Sequence, residues 1–283
     1  MKVLVTGATG FIGYYVIHEL LKRNCGVIAT DISTEKAKEK DWYKQADFVE
    51  HIIGADADEN LDKKFQHPDV MIHLAWQGLP NYKSLFHFEE NLSKQYFFLK
   101  KIIEGGLNDL TVAGTCFEYG MKNGCLAEDM LPEPTHPYAL AKNTLRLFLE
   151  ELRKILPFHL KWVRLFYLYG KGQSPTSLVA QLDKALENNE AFFNMSGGQQ
   201  IRDYLPVEEV AANIVSIALQ NKITGIINCC SGQPVTVEQL VRTYLAQNNK
   251  SIQLNLGYYP YPDYEPMEFW GDAKKLHKAI RQN

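Results

Sequence analysis

The chain has no apolar run long enough to span a bilayer, no internal repeat, no low-complexity segment and no cysteine or histidine cluster at metal-binding spacing. Its five cysteines, Cys25, Cys116, Cys125, Cys229 and Cys230, are odd in number and show no zinc-type pairing. A disulfide scaffold and a zinc module are thereby excluded, no metal is expected, and reduced core thiols are the reading. Cys229 and Cys230 are adjacent, so on a strand they face opposite ways. Only Cys116 stands where a catalytic thiol would be placed. The formal net charge of −3 offers no general attraction for nucleic acid or an anionic membrane. No basic-then-apolar leader opens the sequence, and cytoplasmic residence is expected. What is present is ordinary for a globular protein: 283 residues, 46% hydrophobic and 22% charged. That length builds one large core, or a domain with an added lobe.

The organising stretch is 2–31. An apolar strand, Lys2 to Thr6, runs into Gly7-Ala8-Thr9-Gly10-Phe11-Ile12-Gly13, then into a helical pattern to Arg23 and a second apolar strand ending at Asp31. Gly7 permits a tight turn, Gly10 leaves room for a phosphate, and Gly13 lets the helix pack closely on the strand. Thr9, Phe11 and Ile12 belong to the same turn and helix start, whose N–H groups and dipole favour an anion. Asp31 follows the glycines by about 20 residues, where a carboxylate accepts hydrogen bonds from an adenosine ribose. Strand, glycine turn, helix, strand and acid stand in the order a dinucleotide site requires.

The rest continues the alternation. Asp31 to Lys44 reads as a solvated helix or loop, and strands are expected at Phe48–Ile53, Val70–Leu74, Leu110–Ala113 and Lys161–Phe166. Long helices are expected at Glu89–Glu104 and Tyr138–Leu156. This predicts an α/β protein with a Rossmann-type doubly wound parallel sheet. After Gly170 the rhythm loosens. Helices are expected at Leu178–Glu187 and Val207–Gln220, strands at Ile226–Cys230 and Ile252–Leu256, and a capping box at Thr236/Gln239 before a further helix. Gly257 to Met267 reads as a Tyr/Pro-rich loop, and Asp272 as the cap of a last short helix. The expected division is a dinucleotide-binding domain over 1–170 and a small mixed α/β substrate lobe over 171–283, with some later segments returning to the first.

The second informative stretch is Tyr138-Ala139-Leu140-Ala141-Lys142, whose Tyr and Lys lie one helical turn apart on one face. A phenol is a poor acid–base at neutral pH, and a neighbouring ammonium is expected to lower its pKa. A Tyr-x-x-x-Lys alone is common on surface helices. Here it follows Thr115, just past a strand end where a parallel sheet forms its ligand crevice.

The ordered set of Gly7/Gly10/Gly13, Asp31, His73-Leu74-Ala75-Trp76, Asn91, Thr115, Tyr138 and Lys142 resembles the extended short-chain dehydrogenase/reductases, the NAD-dependent epimerase/dehydratase family. Arg164 to Gly170 and Gln200 to Val207 match further segments, so the resemblance covers nearly the whole chain. It implies NAD, favoured by Asp31, or NADP, which Ser33 and Lys36 could accommodate. It implies a cofactor site that also includes Leu74, Ala75, Trp76, Asn91, Tyr138 and Lys142, with Asp56 at the adenine and Asp58 read as a solvated turn. It implies catalysis by Thr115, Tyr138 and Lys142, a nucleotide-sugar substrate, and a homodimer formed through the two long helices. Trp76, Thr115, Cys116, Phe117, Tyr138, Arg202 and Tyr259 are the expected substrate contacts. For Arg202 the alternative is a salt bridge to Asp203, and for Tyr258, Tyr259 and Tyr261 it is loop packing.

Family members that dehydrate carry an Asp-Glu pair directly after the threonine. Here that place holds Cys116-Phe117, and Glu118 reads as loop support. Trp76 to Tyr82 resembles reductases of dTDP-4-keto-6-deoxy sugars, which make fucose-, talose- or related 6-deoxyhexoses for polysaccharides or glycosides. The expected reaction is C4-keto reduction. A 4-epimerase with tightly bound NAD is the alternative. A non-enzymatic nicotinamide redox sensor is remote, because such proteins commonly lack the Tyr/Lys pair.

Overall fold

The computed structural model describes residues 1–55 and 60–281. Seven strands form the main sheet: β1 Lys2–Thr6, β2 Gly26–Asp31, β3 Asp47–Glu50, β4 Val70–His73, β5 Asp109–Thr115, β6 His159–Leu165 and β7 Gly225–Cys229. Their order is β7-β6-β5-β4-β1-β2-β3, and every pairing is parallel. The chain leaves β1 to one side and returns to its other side at β4, so the crevice opens at the C-terminal ends of β1 and β4.

Because successive strand residues face opposite ways, each strand feeds two cores. Val3 and Val5 of β1 enter one core with Ala29, Ile72 and Ile227, while Leu4 enters the other with Ile28, Met71 and Leu110. The main helices are α1 Phe11–Lys22, α2 Leu92–Glu104, α3 Pro137–Ile155, α4 Leu178–Glu187, α5 Val207–Ala218, α6 Val237–Gln247 and α7 Lys274–Ile280. Helices α1 and α5 cover the first face through Val16, Ile17, Leu20, Val210 and Ile214. Helices α2 and α3 cover the second through Phe98, Leu99, Ile102, Leu145 and Leu149. Cys229 and Cys230 do face opposite ways, into different cores.

The stretch after 170 contributes α5 and β7 to these layers and builds a smaller core from Leu182, Phe193, Met195, Val241 and Leu245. Short strand pairs tie it back to the main body, Tyr204–Pro206 beside Tyr167–Tyr169 and Phe269–Gly271 beside Gly124–Leu126. Helix α6 starts at the expected capping box, with Gln239 N–H donating to Thr236 Oγ1 and Thr236 N–H to Gln239 Oε1. The N-cap of α7 is Ala273, and Asp272 one residue earlier accepts Lys274 N–H, the first of the helix, at 2.9 Å.

Two expectations change. The stretch from Asp31 to Lys44 is not simply solvated: after the short helix Thr34–Lys38, Trp42 is fully buried in the first core. The long helix expected from Glu89 begins instead as a wide π-type turn, His87–Asn91, and becomes α-helical at Leu92. Its buried face carries Phe98, Leu99, Ile102 and Ile103, with Leu92 and Tyr96 half-buried against the same core, and the buried Gln95 among them lines the crevice.

Candidate active site

The glycine turn forms as its spacing requires. Gly7 has φ +70°, which a residue with a Cβ rarely adopts, and α1 packs so closely that a Cβ on Gly13 would lie 2.1 Å from the Gly7 carbonyl oxygen. Helix α1 begins at Phe11 and Ile12, and its N-cap, Gly10, offers no side-chain cap. The helix N–H groups are therefore left for an external anion. In front lies a cavity of about 270 Å³ lined by Gly7, Thr9, Gly10, Asp31, Leu74, Ala75, Trp76, Gln77 and Gln95, among others. Asp31 Oδ2 accepts from Thr9 N–H at 2.9 Å and from the Thr9 hydroxyl at 2.8 Å, tying the turn to the end of β2. Among the described residues Oδ1 accepts Ile32 N–H alone, so lone pairs remain for a ribose. An uncapped helix start, a side-chain-free cradle and an acid at the strand end fit the adenosine and pyrophosphate of a dinucleotide.

Asn91 is buried behind this wall. Its Nδ2 donates to Gln77 O and its Oδ1 accepts from Gln95 Nε2, so it positions two lining residues. Asp56, expected at the adenine, lies outside the described residues. His73 is also buried. The Thr6 hydroxyl accepts Leu74 N–H and Ala75 N–H and donates to His73 Nδ1, while burial and the nearby Lys142 charge push the imidazole down to about 3. His73 is thus a neutral prop for the strand end.

Helix α3 is started by His136, whose Nδ1 accepts Ala139 N–H, with Pro137 in the first turn. Tyr138 and Lys142 on this helix are both buried, and Tyr138 packs between Trp76 on one side and Tyr82 and His136 on the other. Tyr138 is within hydrogen-bond reach of the Thr115 hydroxyl. The expected tuning is reversed. Burial drives the Tyr138 phenol up, with Tyr82, Glu118 and Cys116 acting in the same direction and the Thr115 bond opposing them. Lys142 is not among the groups that shift the resting phenol. Its Nζ donates to Ala113 O at 2.8 Å and stands 4.1 Å from the centre of a Trp76 ring, and burial lowers its pKa to about 7. Cys116 is buried and its thiol is pushed up, so it is not a thiolate nucleophile.

On the other side of Tyr138 lies a cavity of about 620 Å³ lined by Tyr82, Lys83, His136, Tyr167, Tyr204, Tyr264 and the segment Gln173–Val179. Phe117 stands at its inner wall, 5.3 Å from Tyr82 and 5.2 Å from His136 between ring centres. Tyr82, His136 and Tyr264 were not expected from sequence. They sit in loops of no fixed period and converge only through the fold.

Two expected substrate residues do not line this cavity, although Arg202 lies against its wall, 5.8 Å from the centre of the Tyr167 ring. Arg202 is buried, and it does not pair with Asp203. Its Nη1 donates to Ile201 O and Met267 O, its Nε lies 3.4 Å from Glu265, and its guanidinium covers the Phe269 ring. A phosphate would have to compete with all of these partners. Asp203 instead accepts the Ser231 and Gly232 N–H groups and the Ser231 hydroxyl. Tyr259 is half exposed, edge-on to Tyr258, and lines a separate hollow with Thr176, Lys184 and Phe193.

Residues 3–230 match the NAD dependent epimerase/dehydratase family. The chain belongs to that family. It is 30% identical over 272 residues to a dTDP-6-deoxy-L-talose 4-dehydrogenase (NAD(+)) of Aggregatibacter actinomycetemcomitans, covering 96% of this chain and 99% of that one. Its fold is similar to that of UDP-glucuronic acid 4-epimerase from Bacillus cereus, solved with UDP-glucuronic acid and NAD, at a TM-score of 0.82, 24% identity and coverage of 100% and 94%. It is also similar to UDP-N-acetylglucosamine 4-epimerase from Methanobrevibacter ruminantium M1, at a TM-score of 0.86, 21% identity and coverage of 98% and 91%.

In this epimerase/dehydratase fold the turn after β5 is held by Glu118. Its Oε1 accepts Thr115 N–H at 2.9 Å and Trp162 Nε1–H at 2.8 Å, and its Oε2 accepts Arg164 Nε–H at 2.9 Å. Both partners of the Glu118–Arg164 pair are fully buried. The carboxylate is committed to supporting Thr115 and is not free to move protons. Glu118→Gln leaves Arg164 charged and unpaired in a dry site, which costs about 3–5 kcal/mol. Urea unfolding of the variant is expected to show that loss, whereas a variant within about 1 kcal/mol of wild type would mean that the pair does not hold the turn.

Proposed function

We propose that this chain is an NAD(H)-dependent reductase of the C4 keto group of a nucleoside-diphosphate 4-keto-6-deoxyhexose, with dTDP as the nucleotide tried first and a 6-deoxyhexose such as 6-deoxytalose or fucose as product. The observation that carries this reading is the end-to-end similarity to the talose 4-dehydrogenase, whose named reaction is the same C4 step in the oxidative direction. Three features of the site support it. The Cys116-Phe117 pair supplies no acid for dehydration across C5 and C6. The rings of Phe117, Tyr82 and Tyr264 suit the methyl carbon of a 6-deoxy sugar. The buried Tyr138 phenol stays protonated at neutral pH, the form needed to give a proton to a C4 oxygen.

When bound, NADH supplies the hydride to C4. Thr115 holds the C4 oxygen and Tyr138 delivers a proton to it, so the carbonyl becomes a hydroxyl and the phenol a phenolate. Lys142 places a positive charge one helical turn away, which stabilises that developing phenolate. Asp31 selects NAD by holding the adenosine ribose and repelling a 2′-phosphate. Ser33 is the cap of the helix Thr34–Lys38, accepting Lys36 N–H, and is already engaged.

The second part of the reading is a homodimer through α2 and α3. Their outward faces carry Phe97 at 62% and Ile155 at 79% exposure, with Leu147 and Phe148 also exposed, and Tyr96 packs edge-on against Phe148 to join the two helices. A second copy would cover this face. Light scattering is expected to give the mass of two chains, and Phe97→Glu combined with Ile155→Glu the mass of one. A wild-type protein of one-chain mass would refute the dimer.

The activity test follows NADH absorbance on addition of dTDP-4-keto-6-deoxyhexoses of both C2 configurations, gluco for a fucose product and manno for a 6-deoxytalose product. Stoichiometric oxidation is expected, falling by about 100- to 10,000-fold in Tyr138→Phe with NADH binding retained. Sugar interconversion without net oxidation would make the chain a 4-epimerase, and a Tyr138→Phe variant at full rate would remove the phenol from the mechanism.

Cofactor choice is tested with Asp31→Asn, which keeps an acceptor for Thr9 and removes the charge. Wild type is expected to prefer NADH over NADPH in kcat/KM, and the variant to narrow that preference by about tenfold or more, the size of one lost charge contact. A wild-type preference for NADPH would overturn the role given to Asp31.

A further inference from the structure

His87 opens the π-type turn before α2, is fully buried, and bridges the two walls of the crevice. Its Nδ1 accepts the Trp76 indole N–H at 3.1 Å. The remaining ring nitrogen, Nε2, then carries the proton and donates to Asn81 O at 2.9 Å. The tautomer follows from these two bonds. Trp76 lines the cofactor cavity and Asn81 the substrate cavity. With both nitrogens engaged, His87 has neither a free lone pair nor a free proton for chemistry of its own.

What the imidazole controls is the indole. An indole held only by its Cβ can rotate about two torsions, whereas a fixed N–H leaves its plane one orientation. In that orientation the Trp76 ring lies 4.1 Å from Lys142 Nζ and edge-on to Tyr138. The other groups facing Lys142 are Ala113 O at the end of β5, the Glu118 carboxylate on the turn after it and the neutral His73 on β4. A ring face attracts a cation most strongly where water is excluded.

We propose that His87 is a positioning residue for the catalytic lysine: by holding the Trp76 N–H it keeps the indole face against Lys142 Nζ and favours the ammonium over the neutral amine. Burial draws Lys142 toward the neutral form, with a pKa near 7, so a modest attraction changes how much ammonium is present at working pH. The inference rests on Tyr138 and Lys142 being the catalytic pair, and not on which sugar is reduced.

The test uses tryptophan fluorescence of the cofactor-free protein against pH, each protein read as the difference from the same protein carrying Trp76→Phe. That difference isolates Trp76 from Trp42, Trp162 and Trp270 and needs no substrate, so it stands whether or not the ketoreductase reading does. Wild type is expected to show a transition near pH 7 that vanishes in Lys142→Met. Persistence of the transition in Lys142→Met would overturn the proposal. His87→Phe keeps an aromatic ring but loses both hydrogen bonds, and its transition is expected about half to one pH unit lower. His87→Gln, which can both accept from Trp76 and donate to Asn81, is expected to restore it. A folded His87→Phe with the wild-type midpoint would overturn the proposal, because a merely space-filling histidine would change stability and leave the midpoint alone. Should His87→Phe fail to fold by circular dichroism, His87→Leu is read by the same fluorescence difference. It too loses both hydrogen bonds, so its midpoint is expected to fall by a similar amount, and an unmoved midpoint would overturn the proposal.

Discussion

The crevice depends on a carboxylate that water does not reach. Glu118 lies in the turn after β5, where its Oε1 joins the Thr115 backbone to Trp162 and its Oε2 meets Arg164. Trp162 and Arg164 both belong to β6, so one side chain fixes the end of β5 against the neighbouring strand. Thr115 inherits its position from that lock, and Tyr138 is placed against Thr115. A carboxylate in water would not supply this stiffness. Excluding solvent makes each of its three hydrogen bonds stronger and makes losing any one of them costly.

The same dryness sets the electrostatics of Tyr138 and Lys142, the proposed catalytic pair. Burial disfavours the charged form of any group, so it pushes a phenol up and an ammonium down. Tyr138 and Lys142 move in these opposite directions. The spacing of Tyr and Lys on a helix suggested that the lysine would acidify the phenol in the resting protein. The fold instead keeps the phenol protonated and brings the ammonium close to neutrality. For an enzyme that gives a proton to a developing alkoxide, a resting acid beside a conditional cation is a workable starting state.

Much of this was legible because it is local. The glycine turn, Asp31 and the Tyr-x-x-x-Lys helix are patterns within one strand–helix unit or one helical turn, and spacing alone locates them. The capping box at Thr236 and the helix Leu178–Glu187 are of the same kind. What sequence did not show is whatever joins distant segments. Glu118 read as loop support, which it is, but its partners on β6 are invisible until the strands pair. Arg202 read as a phosphate clamp or a partner of Asp203, yet it meets Glu265 on a loop folded back from the C-terminal region. Trp42 sat in a charged stretch that looked solvated, because a single aromatic residue has no period to report its burial. His87 carried no motif at all. A polar residue at a core position, as with Gln95 on α2, was the available signal that a helix faced a cavity.

Keeping Lys142 in the crevice has a thermodynamic consequence with a definite sign. Its folded pKa of about 7 lies below the ordinary lysine value of 10.5, so between these limits the unfolded chain binds the extra proton. Stability therefore rises with pH across that window, and the cost of the buried ammonium is fully present below it. A residue selected for stability alone would be apolar here, as nearby Leu145 and Leu149 are. The Ala113 carbonyl, the Glu118 carboxylate and the Trp76 ring each offset part of the cost without removing it. A cation that is buried, destabilising and yet supplied with partners from three separate elements is best understood as retained for chemistry, and those partners set how much of it is charged.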